Sequence, residues 1–223
     1  MTTPIPEDNA PQWRSQLRAK RAAQAPATLS RGALLMRARL FSWLAEYRER
    51  AQTAGALPAN AIAAFWPMKD EPDLRPLLVQ WAAHPDLAIA LPVVQQQAAP
   101  LVFRRWTPDT LMSEGAYGIS VPQDAEEITP DIVLVPTLGY TRRCDRIGYG
   151  GGYYDRTLAA LRAANPNLVA IGIAWSAGEL DDQYQPAAHD QRLDAILTED
   201  GWLPSAPGTK AGPPTRTLFT GRI

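Results

Sequence analysis

A single cysteine, Cys144, excludes an intramolecular disulfide, and one cysteine with two histidines leaves no zinc framework. No run of 18 apolar residues exists, so no membrane-spanning helix is expected. The opening residues MTTPIPEDNA are acidic and lack the apolar centre of a signal peptide, which makes the cytoplasm the expected compartment. Charge of one sign is also missing. With 22 basic and 23 acidic residues the formal net charge is −1, so nothing draws the whole chain to nucleic acid or to an anionic membrane. What remains is 46% hydrophobic and 20% charged over 223 residues, enough for one soluble domain with a full core.

The most informative stretch is 131–161, DIVLVPTLGYTRRCDRIGYGGGYYDRTLAAL. It opens on Ile132, Val133, Leu134 and Val135, a β-branched run closed by Pro136 that reads as a short buried strand. It ends on a segment from Tyr153 whose Tyr154, Leu158 and Leu161 share one helical face. Between them stand Arg142, Arg143 and Arg146, then Gly148, Gly150, Gly151 and Gly152. Glycines let backbone N–H groups crowd an oxyanion, the next helix aims its dipole at the same place, and guanidinium adds fixed charge. The combination reads as a phosphate cradle, although glycines also make tight turns where nothing binds. It is no Walker loop, because Tyr153 stands where Lys and Ser or Thr are needed. It is no dinucleotide fingerprint either: the glycines fall too far from the strand, and no acidic residue follows about 20 positions on.

Around this stretch the pattern is α/β. A helix is expected after Asn9, a candidate cap, with Pro11 near its first turn, running through Trp13 to about Gln24. Arg14, Arg18 and Arg21 fall on one of its faces, either as a solvated surface or as a cationic wall. A second helix is expected over 30–52 with Leu34, Leu35, Phe41, Leu44 and Tyr47 mostly inward. Short apolar strands are expected at 61–66, at 87–91 (ended by Pro92), at 168–174 and at 195–198, with an edge strand at 101–103. Glu71, in the loop after the strand at 61–66, suits either a ligand or the first turn of the following helix. Residues 204–223 are rich in Pro, Gly and Thr and read as a mobile tail or extended strap. The architecture expected is a single three-layer α/β/α domain over 10–200, with a mostly parallel central sheet and its loops meeting in one cleft.

The string LGY followed by RIGYGGGYYDRTL resembles the signature of the 5-formyltetrahydrofolate cyclo-ligases, the 5,10-methenyltetrahydrofolate synthetases. The Arg14–Arg18 segment RSQLR resembles that family's N-terminal K-x-x-L-R motif, with Arg for the first Lys. The segment at 115–122 resembles the family's aromatic-x-I-P-x-P, with Ser120 where Pro is common and Val121 where Glu or Gln is common. The resemblance implies ATP binding by Arg14, Arg18, Arg146, Gly148, Tyr149, Gly150, Gly151, Gly152, Tyr153 and Tyr154. It implies substrate binding by Trp66, Glu71, Tyr117, Tyr149, Gly150, Gly151, Gly152 and Tyr153, with Arg146 catalytic and Asp155 and Asp190 at the Mg2+ positions.

A carboxylate at Glu71 suits a pterin, whose ring N–H and amino group present adjacent donors, and the Trp66 indole offers a flat apolar face. The implied reaction is ATP-dependent cyclisation of 5-formyltetrahydrofolate, with that folate and ATP as small-molecule partners and a monomeric chain. Each residue has a plainer reading beside it. Tyr117 suits a core tyrosine, Asp155 a dipole-favoured first-turn residue, Asp190 a turn former, and Arg146 a surface partner of Asp145 or Asp155. His189 is expected to be solvated, and Cys144 a bystander, although Arg143 beside it favours a lowered thiol pKa. Arg146→Ala is expected to spare folding and depress turnover. A folate or nucleotide binder without turnover, and a phosphotransferase for another amide or a sugar, stand as alternatives to the cyclo-ligase.

Overall fold

The apolar runs are short and near-continuous, with no alternating polar residues, so each must be covered on both faces. The computed structural model describes residues 10–180 and 184–208. In chain order its elements are α1 (Ala10–Ala22), α2 (Pro26–Thr53), β1 (Ala61–Ala63), α3 (Arg75–Ala82), β2 (Ala88–Val93), β3 (Val102–Arg105), β4 (Met112–Glu114) and β5 (Ser120–Pro122). There follow β6 (Ile132–Pro136), β7 (Gly139–Tyr140), β8 (Arg146–Ile147), α4 (Tyr153–Ala164), β9 (Val169–Ile173), β10 (Ala195–Leu197) and β11 (Trp202–Leu203). Seven strands form one sheet in the order β11-β10-β9-β6-β1-β2-β3. The inner five are parallel, and the edge strands β11 and β3 run antiparallel to their neighbours. The expected mostly parallel α/β architecture is therefore what the chain adopts. Among the described residues no helix is long and apolar enough to cross a membrane.

Strand alternation divides the core in two. Ile62, Ile89, Leu91, Ile132, Leu134 and Ile171 face one way and pack with Met36, Leu40 and Trp43 of α2 and Leu77, Leu78 and Trp81 of α3. Ala63, Ala90, Val133, Val135, Ala170 and Ile196 face the other way, towards Leu158 of α4. A third cluster joins Leu17 of α1 to Leu138, Ile147, Leu180 and Tyr184, which docks α1 on the ribbon made by β7 and β8. The position of α1 matters below, because it fixes where the helix's arginines point.

Several expectations need correction. On α2, Leu34, Leu35 and Phe41 are 57%, 39% and 52% exposed, while Ala33, Met36, Leu40, Trp43 and Leu44 face the core. Pro92 does not end its strand: β2 runs on to Val93, paired with Val102. The sheet also passes the expected domain end at residue 200, since β11 adds an edge on which Trp202 meets Trp43 at 5.6 Å between ring centroids. Residues 204–208 are strapped along α2: the Trp43 indole N–H donates to the Pro207 carbonyl at 2.9 Å and Arg50 donates to the Gly208 carbonyl at 3.1 Å. Asn9, the candidate cap, and residues 209–223 lie outside the described residues.

Gly32 marks a close approach of α2 to Trp175. A Cβ there would lie 2.6 Å from Cζ3 of Trp175, a ring held in place by its indole N–H bond to the Asp70 carbonyl at 2.8 Å. Gly32→Ala gains about 1 kcal/mol in helix propensity but forces overpacking that costs about 1–3 kcal/mol. Urea unfolding of that variant should therefore show a net loss of stability; a gain would mean that the ring yields freely.

Candidate active site

The parallel strands β6 and β9 end on the same side, and the connections leaving them line a cleft there, as expected for an open parallel sheet. Its volume is about 430 Å³. The walls come from Trp13 and Arg14 of α1, Pro136 at the end of β6, Arg146 and Ile147 of β8, the turn 148–152, the first turn of α4, and residues 184–190.

The glycine turn lines this cleft. Gly150 and Gly151 are exposed, Gly150 has φ 99°, and Gly152 has φ 62° as it starts α4. No side chain caps α4, so its first amides open on the cleft with the positive end of the helix dipole behind them. Arg14 crosses from α1 and donates from Nε to the Gly148 carbonyl at 3.2 Å, and its guanidinium lies behind Gly150.

Arg146 is 7% exposed. Its Nη2 donates to Asp155 Oδ1 at 2.7 Å, and its Nε is buried with no acceptor. The pairing with Asp155 foreseen as a surface contact is thus an internal one. Asp155 Oδ1 also accepts the Gln191 N–H at 3.0 Å. Across the cleft Asp190 Oδ2 accepts the Ala187 N–H at 2.9 Å and the Tyr184 hydroxyl at 3.4 Å. The Tyr154 hydroxyl is buried with no partner, and burial drives its pKa upward, so it stays a neutral donor.

Glu71 sits one layer back, 8% exposed. Oε1 accepts a short hydrogen bond from the Tyr149 hydroxyl, and Oε2 accepts the Met68 N–H at 2.8 Å. Arg21, itself 8% exposed, donates to the Tyr149 oxygen at 2.6 Å and the Thr137 carbonyl at 3.1 Å, and lies 3.9 Å from Glu71. Burial pushes the Glu71 carboxyl above its ordinary value, with the Tyr149 bond, the Met68 amide and Arg21 pulling against it. A solvated basic face on α1 is therefore not what forms. Arg21 is buried, Arg14 reaches the turn, and the exposed Arg18 holds its guanidinium 5.8 Å from the Tyr149 ring centroid.

The cleft thus gathers Arg14, Arg146, Gly148, Tyr149, Gly150, Gly151, Gly152, Tyr153, Tyr154, Asp155 and Asp190. Trp66, Glu71 and Tyr117 are not on its wall. Tyr149 bridges the cleft to Glu71. Tyr117 is 73% exposed rather than in the core, and its hydroxyl lies 3.2 Å from that of Tyr153. Trp66 packs edge-on to Trp106 beneath Arg75. Arg142 and Arg143 turn away from the cradle, Arg142 to Glu179 at 2.6 Å and Arg143 to Asp145 at 3.5 Å. Cys144 is buried and its thiol is pushed up to about 11 by burial and by Asp145, the reverse of the lowering expected from Arg143. His189 lines the cleft with an 82% exposed side chain. Sequence reasoning missed Trp13 and Tyr184 as wall residues; Arg21 was visible only through its spacing from Arg14 and Arg18.

The sequence model of the 5-formyltetrahydrofolate cyclo-ligase family matches residues 7–199. A 5-formyltetrahydrofolate cyclo-ligase of Mycolicibacterium smegmatis is 30% identical over 154 residues, 64% of this chain and 75% of the relative. That of Haemophilus influenzae is 31% identical over 87 residues, 37% of this chain and about half (46%) of the relative. In three dimensions the fold resembles Aquifex aeolicus 5,10-methenyltetrahydrofolate synthetase, with a TM-score of 0.72 at 22% identity over 94% of this chain and 99% of the other. The Mycoplasma pneumoniae 5,10-methenyltetrahydrofolate synthetase gives 0.61 at 21% identity over 86% of this chain and 99% of the other. A match over 193 consecutive residues takes in the glycine turn, both cleft carboxylates and the buried glutamate together, and the chain belongs to the 5-formyltetrahydrofolate cyclo-ligase family.

Proposed function

We propose that this chain catalyses the ATP-dependent cyclisation of 5-formyltetrahydrofolate to 5,10-methenyltetrahydrofolate, releasing ADP and phosphate. A formamide oxygen is a poor leaving group, and amide resonance makes its carbon a poor electrophile. Transfer of the γ-phosphoryl group to that oxygen gives an iminium phosphate; N10 attacks its carbon, loses its proton, and phosphate departs as the ring closes. Phosphoryl transfer asks a protein for alignment and for neutralised oxygens. One observation carries the reading: two buried donors, Arg146 Nε and the Tyr154 hydroxyl, have no acceptor at the wall of a cleft rimmed by the glycine turn and the uncapped start of α4. An orphaned buried donor costs about 1–3 kcal/mol, which an anionic ligand oxygen would recover.

In this reading 148–152 and the first amides of α4 hold phosphate oxygens, Arg146 holds the transferred group, and Arg14 and Arg18 close from α1. Glu71 receives the pterin donors, while Trp66 and Tyr117 flank the rings. Magnesium fits the donor set. Among the described residues no three metal-binding side chains form a cage, but this ion is met by one or two carboxylates with phosphate and water. Asp155 and Asp190 line the same cleft, and protein donors hydrogen-bond Asp155 Oδ1 and Asp190 Oδ2, which leaves Asp155 Oδ2 and Asp190 Oδ1 to hold it, the latter 3.7 Å from His189 Nε2. When bound, the ion neutralises phosphate charge.

Purified protein given 5-formyltetrahydrofolate and Mg-ATP should develop methenyl-folate absorbance with one ADP per product. No product with any nucleoside triphosphate overturns the assignment. Tight folate binding without ADP release would identify a binder instead.

A further inference from the structure

We propose that Tyr149 is a ligand-displaced latch: in the unliganded chain its hydroxyl occupies the Glu71 carboxylate, and a ligand presenting an N–H donor pair to Glu71 evicts it and frees the glycine turn. The proposal rests on the reading of Glu71 as the pterin acceptor.

Both carboxylate oxygens are already engaged, one by Tyr149 and one by the Met68 amide. Each oxygen keeps a second lone pair, but the Glu71 side chain is only 2% exposed, so with the phenol in place a bidentate ligand pair has no open path to it. Tyr149 belongs to the turn that rims the phosphate end of the cleft, and it is flanked by Gly148 and Gly150, the latter with φ 99°. A residue between two glycines swings on a soft backbone.

Eviction leaves no bare charge. Arg21 remains 3.9 Å from Glu71, anchored by the Thr137 carbonyl at 3.1 Å, so the carboxylate keeps its counter-ion. In the latched position the Tyr149 ring centroid lies 5.8 and 5.9 Å from the guanidinium groups of Arg18 and Arg21. One side chain thus reports occupancy of the pterin end to the backbone of the phosphate end. By linkage, the factor by which the first ligand changes the affinity for the second equals the factor by which the second changes the affinity for the first.

Amide hydrogen exchange in 148–154, compared between the wild type and Tyr149→Phe without ligand, tests the latch. Loss of one charge-assisted bond should speed exchange about tenfold. Tyr149→Phe should also bind 5-formyltetrahydrofolate, followed by tryptophan fluorescence, about tenfold more tightly, its competitor having gone. Unchanged exchange, or measurable folate binding by both proteins that is no tighter in the variant, overturns the latch while leaving the proposed function standing. Fast exchange with no folate binding by either protein overturns the ligand half of the proposal together with the function beneath it.

Discussion

Replacing Arg146 with alanine should lower turnover roughly 10- to 150-fold, equivalent to losing about 1.5–3 kcal/mol of contact to the transferred phosphoryl group. The same change should also destabilise the chain, contrary to the expectation from sequence that folding would be spared. Arg146 and Asp155 form an ion pair whose side chains are only 5% and 14% exposed. Removing one partner strands the other carboxylate beside a low-dielectric wall, which costs about 3–5 kcal/mol for a fully buried pair and less here, where Asp155 meets the cleft. The two losses are separable. Arg146→Lys keeps a cation for Asp155 but lacks the fork that reaches the carboxylate and a phosphate oxygen at once, so most stability should return while turnover stays low. Denaturant unfolding and product absorbance on the same samples distinguish the two. Turnover within twofold of wild type in folded Arg146→Ala would remove Arg146 from the chemistry.

Why sequence carried the reading as far as it did follows from separation along the chain. Ile132 to Val135 form β6, and the glycines and α4 follow within 30 residues, so strand, turn and helix were legible as one local unit. Glu71 and Arg21 reach Tyr149 from 78 and 128 residues away. No local pattern encodes a buried trio assembled by the sheet, and Glu71 looked equally like a first-turn residue. Arg142 and Arg143 illustrate the opposite error: adjacency to the cradle suggested a role, but the ribbon between β7 and β8 turns them towards Glu179 and Asp145. On α2 apolar residues stand on more than one face, and the stripe through Ala33, Met36, Leu40, Trp43 and Leu44 is the one buried, while Leu34, Leu35 and Phe41 stay exposed. β11 spans two residues, too few to show a period, and joins the sheet only through its pairing with β10.

Substitution of Glu71 should give the largest combined effect, and pH makes it diagnostic. Glu71→Ala leaves Arg21 buried without its counter-ion and strips an acceptor from the Tyr149 hydroxyl and the Met68 amide, at a cost of about 3–5 kcal/mol. Glu71→Gln is milder, since the amide oxygen can still accept. Burial raises the carboxyl pKa above its ordinary value of 4.5, so the native chain holds that proton more tightly than the unfolded chain does. The stability this confers is full below pH 4.5 and is lost as pH climbs from there through the raised value. Glutamine has no proton to lose, so wild-type stability measured against Glu71→Gln should decline across that window and then level off. Over the same window folate affinity should rise in the wild type, because only the ionised carboxylate offers acceptors to two donors. Glu71→Gln should bind weakly and without that pH dependence. Stability and affinity moving in opposite directions over one titration are what a buried carboxylate kept for a ligand requires. A flat stability difference between the two proteins across that range would mean that Arg21 and Tyr149 hold Glu71 ionised throughout, and the pH-dependent affinity would vanish with it.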